Sequence, residues 1–217
     1  SKHHLRTMGA TVVSNKLCTH CCVSKSLRLP FSLSNSTVNQ PLALIHSDVW
    51  GPFAAYISNY KYYVLFIGDF SKFTWLFPLS YKSKVFSKFV DFKTFVETQF
   101  HTKLKILRSD NGGEYLASKF QHFLTTKGIE HQLTCPHAPT QNGVTERKHR
   151  HLIETTITLM HQSSLPVKFW FDALAASVFL INRHPTSKLN NLTPFEVLFK
   201  HGPDYNFLKV FGCKCYP

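Results

Sequence analysis

"YYVLFIGDF" (Tyr62–Phe70) and "FTWLFPL" (Phe73–Leu79) are two aromatic and β-branched runs parted only by Ser71 and Lys72. Such side chains suit a pleated, half-buried surface, and so short a break between two runs predicts an antiparallel hairpin. Upstream, "LALIHSDVW" (Leu42–Trp50) reads as a strand stopped by Gly51-Pro52. Downstream the period changes. Within Ser83–Phe100, Val85, Phe89, Phe92 and Val96 recur at steps of four and three, the apolar stripe of an amphipathic helix. "LKIL" (Leu104–Leu107) reads as a short strand, "SKFQHFLTTKG" (Ser118–Gly128) as a short helix closed by Gly128, and "IEHQLTC" (Ile129–Cys135) as a fifth strand. Past "PHAPTQNG" a long helix is expected over roughly Val144–Gln162, and another after Pro166 through "FWFDALAASVFLIN". A hairpin followed by alternating helices and strands predicts a mixed α/β sheet with helices on its faces.

A length of 217 residues accommodates one substantial domain and a smaller appendage. No run approaches the roughly 18–20 apolar residues of a membrane span, and "KHHLRTM" after Ser1 is not a signal peptide. Lys and Arg outnumber Asp and Glu by 25 to 12, for a net charge of +13. A surface that basic attracts polyanions, above all nucleic acid. The six cysteines cluster at positions 18, 21, 22, 135, 213 and 215, unlike a secreted disulfide framework, so a reducing intracellular compartment is expected. "LPFSLSNSTVNQP" (Leu29–Pro41) reads as a linker. The missing initiator Met and the closing "FGCKCYP" read as the ends of a fragment.

Against this basic background, "RSDNGGEY" (Arg108–Tyr115) concentrates two acids beside two glycines. Asp110 lies three residues past "LKIL", and Asp48 lies two residues before Trp50 near the end of its strand. Sites in open sheets gather at the carboxyl edges of strands. Glu146 falls in the first turns of the long helix, on a face shared with Ile153, Ile157 and Met160. That face is expected to lie on the sheet, which points the Glu146 carboxylate inward and makes three acids converge. Three such groups repel one another unless a hard divalent cation sits among them. Mg²⁺ or Mn²⁺ takes oxygen ligands, and a pair of such ions ~3.5–4 Å apart supports in-line phosphodiester displacement. Gly112 and Gly113 would let backbone approach a substrate closely. Taken singly, the acids have plainer readings: Asp110–Gly113 as an ordinary turn, Glu146 paired with Arg150, and Asp48 merely ending a strand.

The ordered set "HSDVWGP", "RSDNGGEY" and "TQNGVTERKHR", with thirty-five residues between Asp110 and Glu146, resembles the signature blocks of copia-type LTR retrotransposon integrases. The flanking "FIGDFSKFTWLFPL", "TPFEVLFKHGPDYNFLKVFGCKCYP" and "CTHCCVSKSLRLPF" extend the likeness over nearly the whole chain, as a fragment of a Pol polyprotein. The resemblance implies a ribonuclease-H-like fold, a five-stranded mixed sheet flanked by helices. It implies that Asp48, Asp110 and Glu146 are metal-binding catalytic acids. It also implies 3′-end processing and strand transfer of element DNA into target DNA without a covalent protein intermediate. Gln141, Asn142 and Gly143 would contact DNA beside the third acid, and Arg147 and Lys148 would bind phosphates. Asp69 would belong to the hairpin turn and hold no metal. Cys18 and Cys21 match the C-x-x-C half of the family's zinc site. His3 and His4 depart from its other half, being adjacent and only thirteen residues from Cys18, so a remnant zinc site is the most the likeness implies.

The expected organisation is a partial zinc module and linker over residues 1–40, a catalytic core over 41–200, and the start of a downstream region over 201–217. A homo-oligomer acting on DNA, without membrane contact, is expected in the nucleus after a cytoplasmic virus-like-particle stage. Two rival readings remain open. One is a catalytically silent nucleic-acid-binding or interaction module of retroelement origin. The other is a different ribonuclease-H-like enzyme, such as a transposase or structure-specific nuclease.

Overall fold

The structure, a computed structural model, describes residues 38–53, 60–134 and 143–214. Five strands, β1 (Leu44–Trp50), β2 (Tyr62–Gly68), β3 (Thr74–Leu79), β4 (Ile106–Ser109) and β5 (Glu130–Leu133), form one sheet in the order β3-β2-β1-β4-β5. The β1–β2 and β2–β3 pairs are antiparallel, and β4 pairs in parallel with both β1 and β5. The helices are α1 (Val85–Phe100), α2 (Gly113–Leu116), α3 (Ser118–Thr126), α4 (Gly143–Ser163), α5 (Trp170–Arg183) and α6 (Pro194–Phe199).

The sheet is covered on both sides, which explains why β2 is apolar at nearly every position rather than alternating. Val64 and Phe66 join Val85, Phe89, Phe92 and Val96 of α1 and Phe120 and Leu124 of α3 in one core. Tyr63, Leu65 and Ile67 point the other way, into a second core with Leu152 of α4 and Leu174, Val178 and Ile181 of α5. The stripe expected on α1 is fully buried, and Phe66 stacks on Phe92 at 4.2 Å between ring centroids.

The predicted hairpin is present. Gly68 donates its N–H to the Phe73 carbonyl, and Lys72 adopts a left-handed φ of 56° to close the turn. At the other end of β2, Gly51 has φ +127°, and a Cβ there would meet the Lys61 carbonyl at 2.5 Å, so glycine is required where the chain leaves β1. Most boundaries differ from the sequence reading by one or two residues, and one of these shifts bears on the site. The fourth strand runs Ile106–Ser109 rather than Leu104–Leu107, so Asp110 follows it directly. The capped helix α6, which sequence periodicity did not reveal, opens on Pro194 with a reciprocal Thr193–Glu196 capping box.

As the outer strand of the sheet, β3 tolerates Pro78, which has no N–H to give a neighbour. Asn182 of α5 binds the β3 backbone twice: its Oδ1 accepts from Thr74 N–H at 2.9 Å and its Nδ2 donates to the Thr74 carbonyl at 2.8 Å. Both partners are buried. Asn182→Ala is expected to orphan two buried backbone groups and lower stability by about 2–4 kcal/mol. Urea unfolding should register this as a reduced midpoint with an unchanged slope.

Candidate active site

The parallel register of β1 and β4 pairs Leu44 with Ile106, Ile45 with Leu107 and His46 with Arg108. Carried two residues further, the same offset sets Asp110 beside Asp48, about one strand spacing (~4.8 Å) away at the sheet's carboxyl edge. Burial pushes the Asp110 carboxyl up; a hydrogen bond from the Gly112 N–H opposes this, and the charges of Asp48 and Glu114 push it further up. The Asp110 Oδ1 accepts that Gly112 bond at 3.1 Å. A Cβ on Gly112 would meet Asp110 Oδ1 and the Glu114 carboxyl carbon at 3.0 Å each, whereas one on Gly113 would meet nothing within 4 Å. A side chain at Gly112 would press on both carboxylates and make them give by a few tenths of an ångström, and the segment opens a helical turn rather than an isolated loop.

A polar scaffold beneath the acids fixes the backbone around them. The Ser47 hydroxyl and the Tyr115 hydroxyl are 2.6 Å apart, both buried, and join β1 to α2. The Gln121 Nε2 donates to the Tyr115 carbonyl and to His131 Nδ1, which leaves Nε2–H of His131 to face Ser109 Oγ at 2.9 Å. That hydroxyl in turn donates to the Asp110 carbonyl at 2.9 Å. Burial lowers the His131 pKa and so favours the neutral ring this chain of donors requires. Asn111 adds a bond from Nδ2 to the Thr134 carbonyl, tying the segment after β4 to the end of β5.

The buried stripe of α4 is Thr145, His149, Leu152 and Thr156, not the expected face of Glu146 with Ile153, Ile157 and Met160. Ile157 is 53% exposed, and Glu146 is exposed as well. At about 100° per residue, the real stripe lies roughly a quarter turn from the expected one. Its polar members are matched one by one. His149 Nδ1 lies 3.0 Å from the Tyr63 hydroxyl, and the Thr156 hydroxyl lies 3.0 Å from that of Ser177 on α5. The other ring nitrogen of His149 lies 3.5 Å from Asp48 Oδ2, which brings α4 to the first acid through a histidine the sequence did not single out. Glu146 sits one turn before His149, and no ion pair with Arg150 forms.

Asp48 and Asp110 thus form a crowded oxygen-donor pair whose chemistry suits a hard divalent cation. Among the described residues no three His, Cys, Asp or Glu side chains gather as a metal site. Gln141 and Asn142, with Cys18, Cys21, His3 and His4, lie outside the described residues. Gly143 opens α4 and is buried, with a position for Cβ only 3.0 Å from the Arg147 guanidinium.

On the other flank of α4 the charge reverses. Lys72, Arg147, Lys148 and Lys188 line a cavity of about 360 Å³ floored by Ile67, Ile181 and neighbouring apolar groups. Burial, with the nearby charges of Lys188 and Lys72, lowers the Lys148 pKa to about 8.

Residues 38–139 match the family described as the Integrase core domain, a span that holds Asp48 and Asp110 and ends before Glu146. The chain is 46% identical to the Retrovirus-related Pol polyprotein from transposon RE2 of Arabidopsis thaliana, over 100% of this chain and 15% of that protein. The chain belongs to the integrase core family. The corresponding polyprotein from transposon TNT 1-94 of Nicotiana tabacum is 38% identical over 96% of this chain and 16% of its own length. This integrase core therefore spans only about one-sixth of those curated relatives. The HTLV-2 integrase catalytic core domain, solved with magnesium in a trimeric form, superposes with a TM-score of 0.55 at 17% identity, over 73% of this chain and 97% of that one. A chain of the simian T-cell lymphotropic virus intasome bound to PP2A regulatory subunit B56 gamma gives 0.63 at 18% identity, over 99% and 74%. The fold is the ribonuclease-H-like one the sequence led us to expect.

Asp69 sits in the hairpin turn, as expected, with Oδ1 at 2.7 Å from Lys72 Nζ and 3.1 Å from His46 Nε2. Burial alone would raise its carboxyl, but hydrogen bonds from His46 and Lys72 and their charges overcome this and hold it well below the usual carboxylate range. A depressed folded value means that the stabilisation is complete above the unfolded pKa of about 3.9 and fades as the pH falls below it. Asp69→Asn is expected to cost roughly 1–2 kcal/mol at neutral pH. Urea unfolding at neutral and acid pH should show the gap between variant and parent narrowing below about pH 4.

Proposed function

We propose that this integrase core carries out metal-dependent DNA integration. In the first step the oxygen of water attacks a phosphorus near the element's 3′ end, and the P–O3′ bond breaks to leave a free 3′ hydroxyl. In the second, that hydroxyl attacks a phosphorus of target DNA, and the target's own 3′ oxygen departs. The observation that carries this reading is the β1–β4 register, which brings two carboxylates to one strand spacing on an otherwise basic protein.

Asp48, Asp110 and Glu146 would hold Mg²⁺ or Mn²⁺, two ions in the working site. When bound, such ions activate the attacking oxygen and stabilise the leaving one. The chain's own contributions are the fixed positions of Asp48 and Asp110, set by the β1–β4 pairing and by the Ser109–His131–Gln121 hydrogen bonds. Glu146 is exposed on the first turn of α4 and would have to swing toward the two aspartates to join them. Gln141, Asn142, Gly143, Arg147 and Lys148 would contact DNA phosphates, giving affinity that falls with salt and carries little sequence information. The active form would be a homo-oligomer, in keeping with the dimeric and trimeric forms in which the HTLV-2 core was solved.

The exposure of Glu146 favours a second reading, a catalytically silent module that retains DNA binding. Incubation with short duplexes and Mn²⁺ separates the two. The integrase reading expects cleavage and joining, with Asp110→Asn slowing both at least a hundredfold, or about 2.7 kcal/mol of barrier. Calorimetry on the metal-free protein should show Mn²⁺ uptake that this substitution removes. DNA binding indifferent to EDTA, with no turnover and no Mn²⁺ uptake, would establish the silent module instead.

A further inference from the structure

The cavity beside α4 gathers four cations, Lys72, Arg147, Lys148 and Lys188, over an apolar floor. Among the described residues, only Lys72 of these has a carboxylate partner, Asp69. Arg147, Lys148 and Lys188 form no ion pair among the described residues. All twelve Asp and Glu residues of the sequence lie among the described residues, so none of the undescribed stretches can bring an acidic side chain to neutralise them. Like charges converging on a partly enclosed space are unfavourable in the empty protein, and an anion from outside would relieve them.

Shape and floor narrow the class of ligand. A volume of about 360 Å³ lies at the lower end of small-molecule sites, where a mononucleotide fits and a duplex does not. Val144 and Pro185 present apolar surface to the cavity, while Ile67 is fully buried and Ile181 is 6% exposed. The combination calls for a compact apolar ring carrying phosphate groups that reach the cationic rim.

We propose that this cavity is a binding site for a small phosphorylated molecule of mononucleotide size, separate from the acid rim. Arg147, Lys148 and Lys188 grip its phosphates, and the ring rests against Val144 and Pro185. Arg147 and Lys148 are shared with the DNA contacts proposed above, but binding here needs no divalent metal and no DNA, so a titration without either separates the two readings.

The test is calorimetric titration of the full chain in EDTA with ADP, inorganic pyrophosphate and adenosine. ADP is expected to bind one to one and more tightly than pyrophosphate, with adenosine weakest. Lys148→Met and Lys188→Met each keep the aliphatic stem, lose the charge, and should weaken ADP about tenfold, the loss of one charge-assisted contact. Lys103→Met, at an exposed lysine between α1 and β4, should change nothing. Lys148→Met should also raise the melting temperature in phosphate-free buffer by about 2–4 °C, because it relieves repulsion in the empty cavity, and this shows that the variant is folded. Failure of ADP to saturate a single site overturns the proposal. So does an equal loss in Lys103→Met, which would make the attraction diffuse, and so does binding of duplex DNA by a preparation that ignores ADP.

Discussion

Two carboxylates sit one strand apart because β1 and β4 run in parallel with a fixed offset, and that offset is the constraint on which the site depends. A slip of one residue would send Asp110 to the opposite face and leave Asp48 alone with His149. The burial of both sheet faces makes such a slip costly. Ile45 and Leu107 lie side by side in the core under α1 and α3 and would have to exchange places with His46 and Arg108. The hydrophobic pattern of two strands therefore sets the distance between two charges. The repulsion between those charges is tolerated because the apolar packing beneath holds it.

Much of this was legible in the sequence wherever apolar spacing carries the structure. The stripe Val85-Phe89-Phe92-Val96 could only face a core, and the runs on either side of Ser71-Lys72 could only pair with each other. Asp48 and Asp110 followed from their places at strand ends. The reading failed on α4, because it followed apolar residues and the buried face there is largely polar. Thr145, His149 and Thr156 look like surface residues until their partners are known, and Tyr63, 86 positions before His149, gives no sign of the pairing. Polar cores are specified by three-dimensional complementarity, and a linear pattern carries no record of it.

The consequence for charge is larger than the error in face. The Tyr63–His149 and Thr156–Ser177 contacts fix the rotation of α4 about its own axis. With the buried stripe set, Glu146 lies about 60° to one side of His149. Val144, Arg147, Lys148 and His151 lie on the other side and line the cationic cavity. One run of residues, Val144 to His151, thus delivers an acid to one flank and cations to the other. The short run "ERKHRH" is consistent with a solvated helix face, yet its partition is imposed by a histidine in its middle.

This division bears on how α4 can respond to anything that binds it. The helix meets the sheet through the apolar Leu152 and through the His149–Tyr63 hydrogen bond, and such a bond holds only over a narrow range of geometry, whereas apolar contacts slide. Neutralising the cations on one flank removes a force that pushes α4 away from Lys72 and Lys188, and it does so without altering the stripe. Drawing Glu146 toward the two aspartates pulls on the other flank of the same turn. Both forces act within one turn of His149, whose Nε2 is buried and makes no hydrogen bond among the described residues while lying 3.5 Å from Asp48. A shift of a few tenths of an ångström there would turn that approach into a full hydrogen bond and hold the first acid by its Oδ2. The long, unmade bond at His149 is therefore the point where the charge on either side of α4 has the least resistance to overcome.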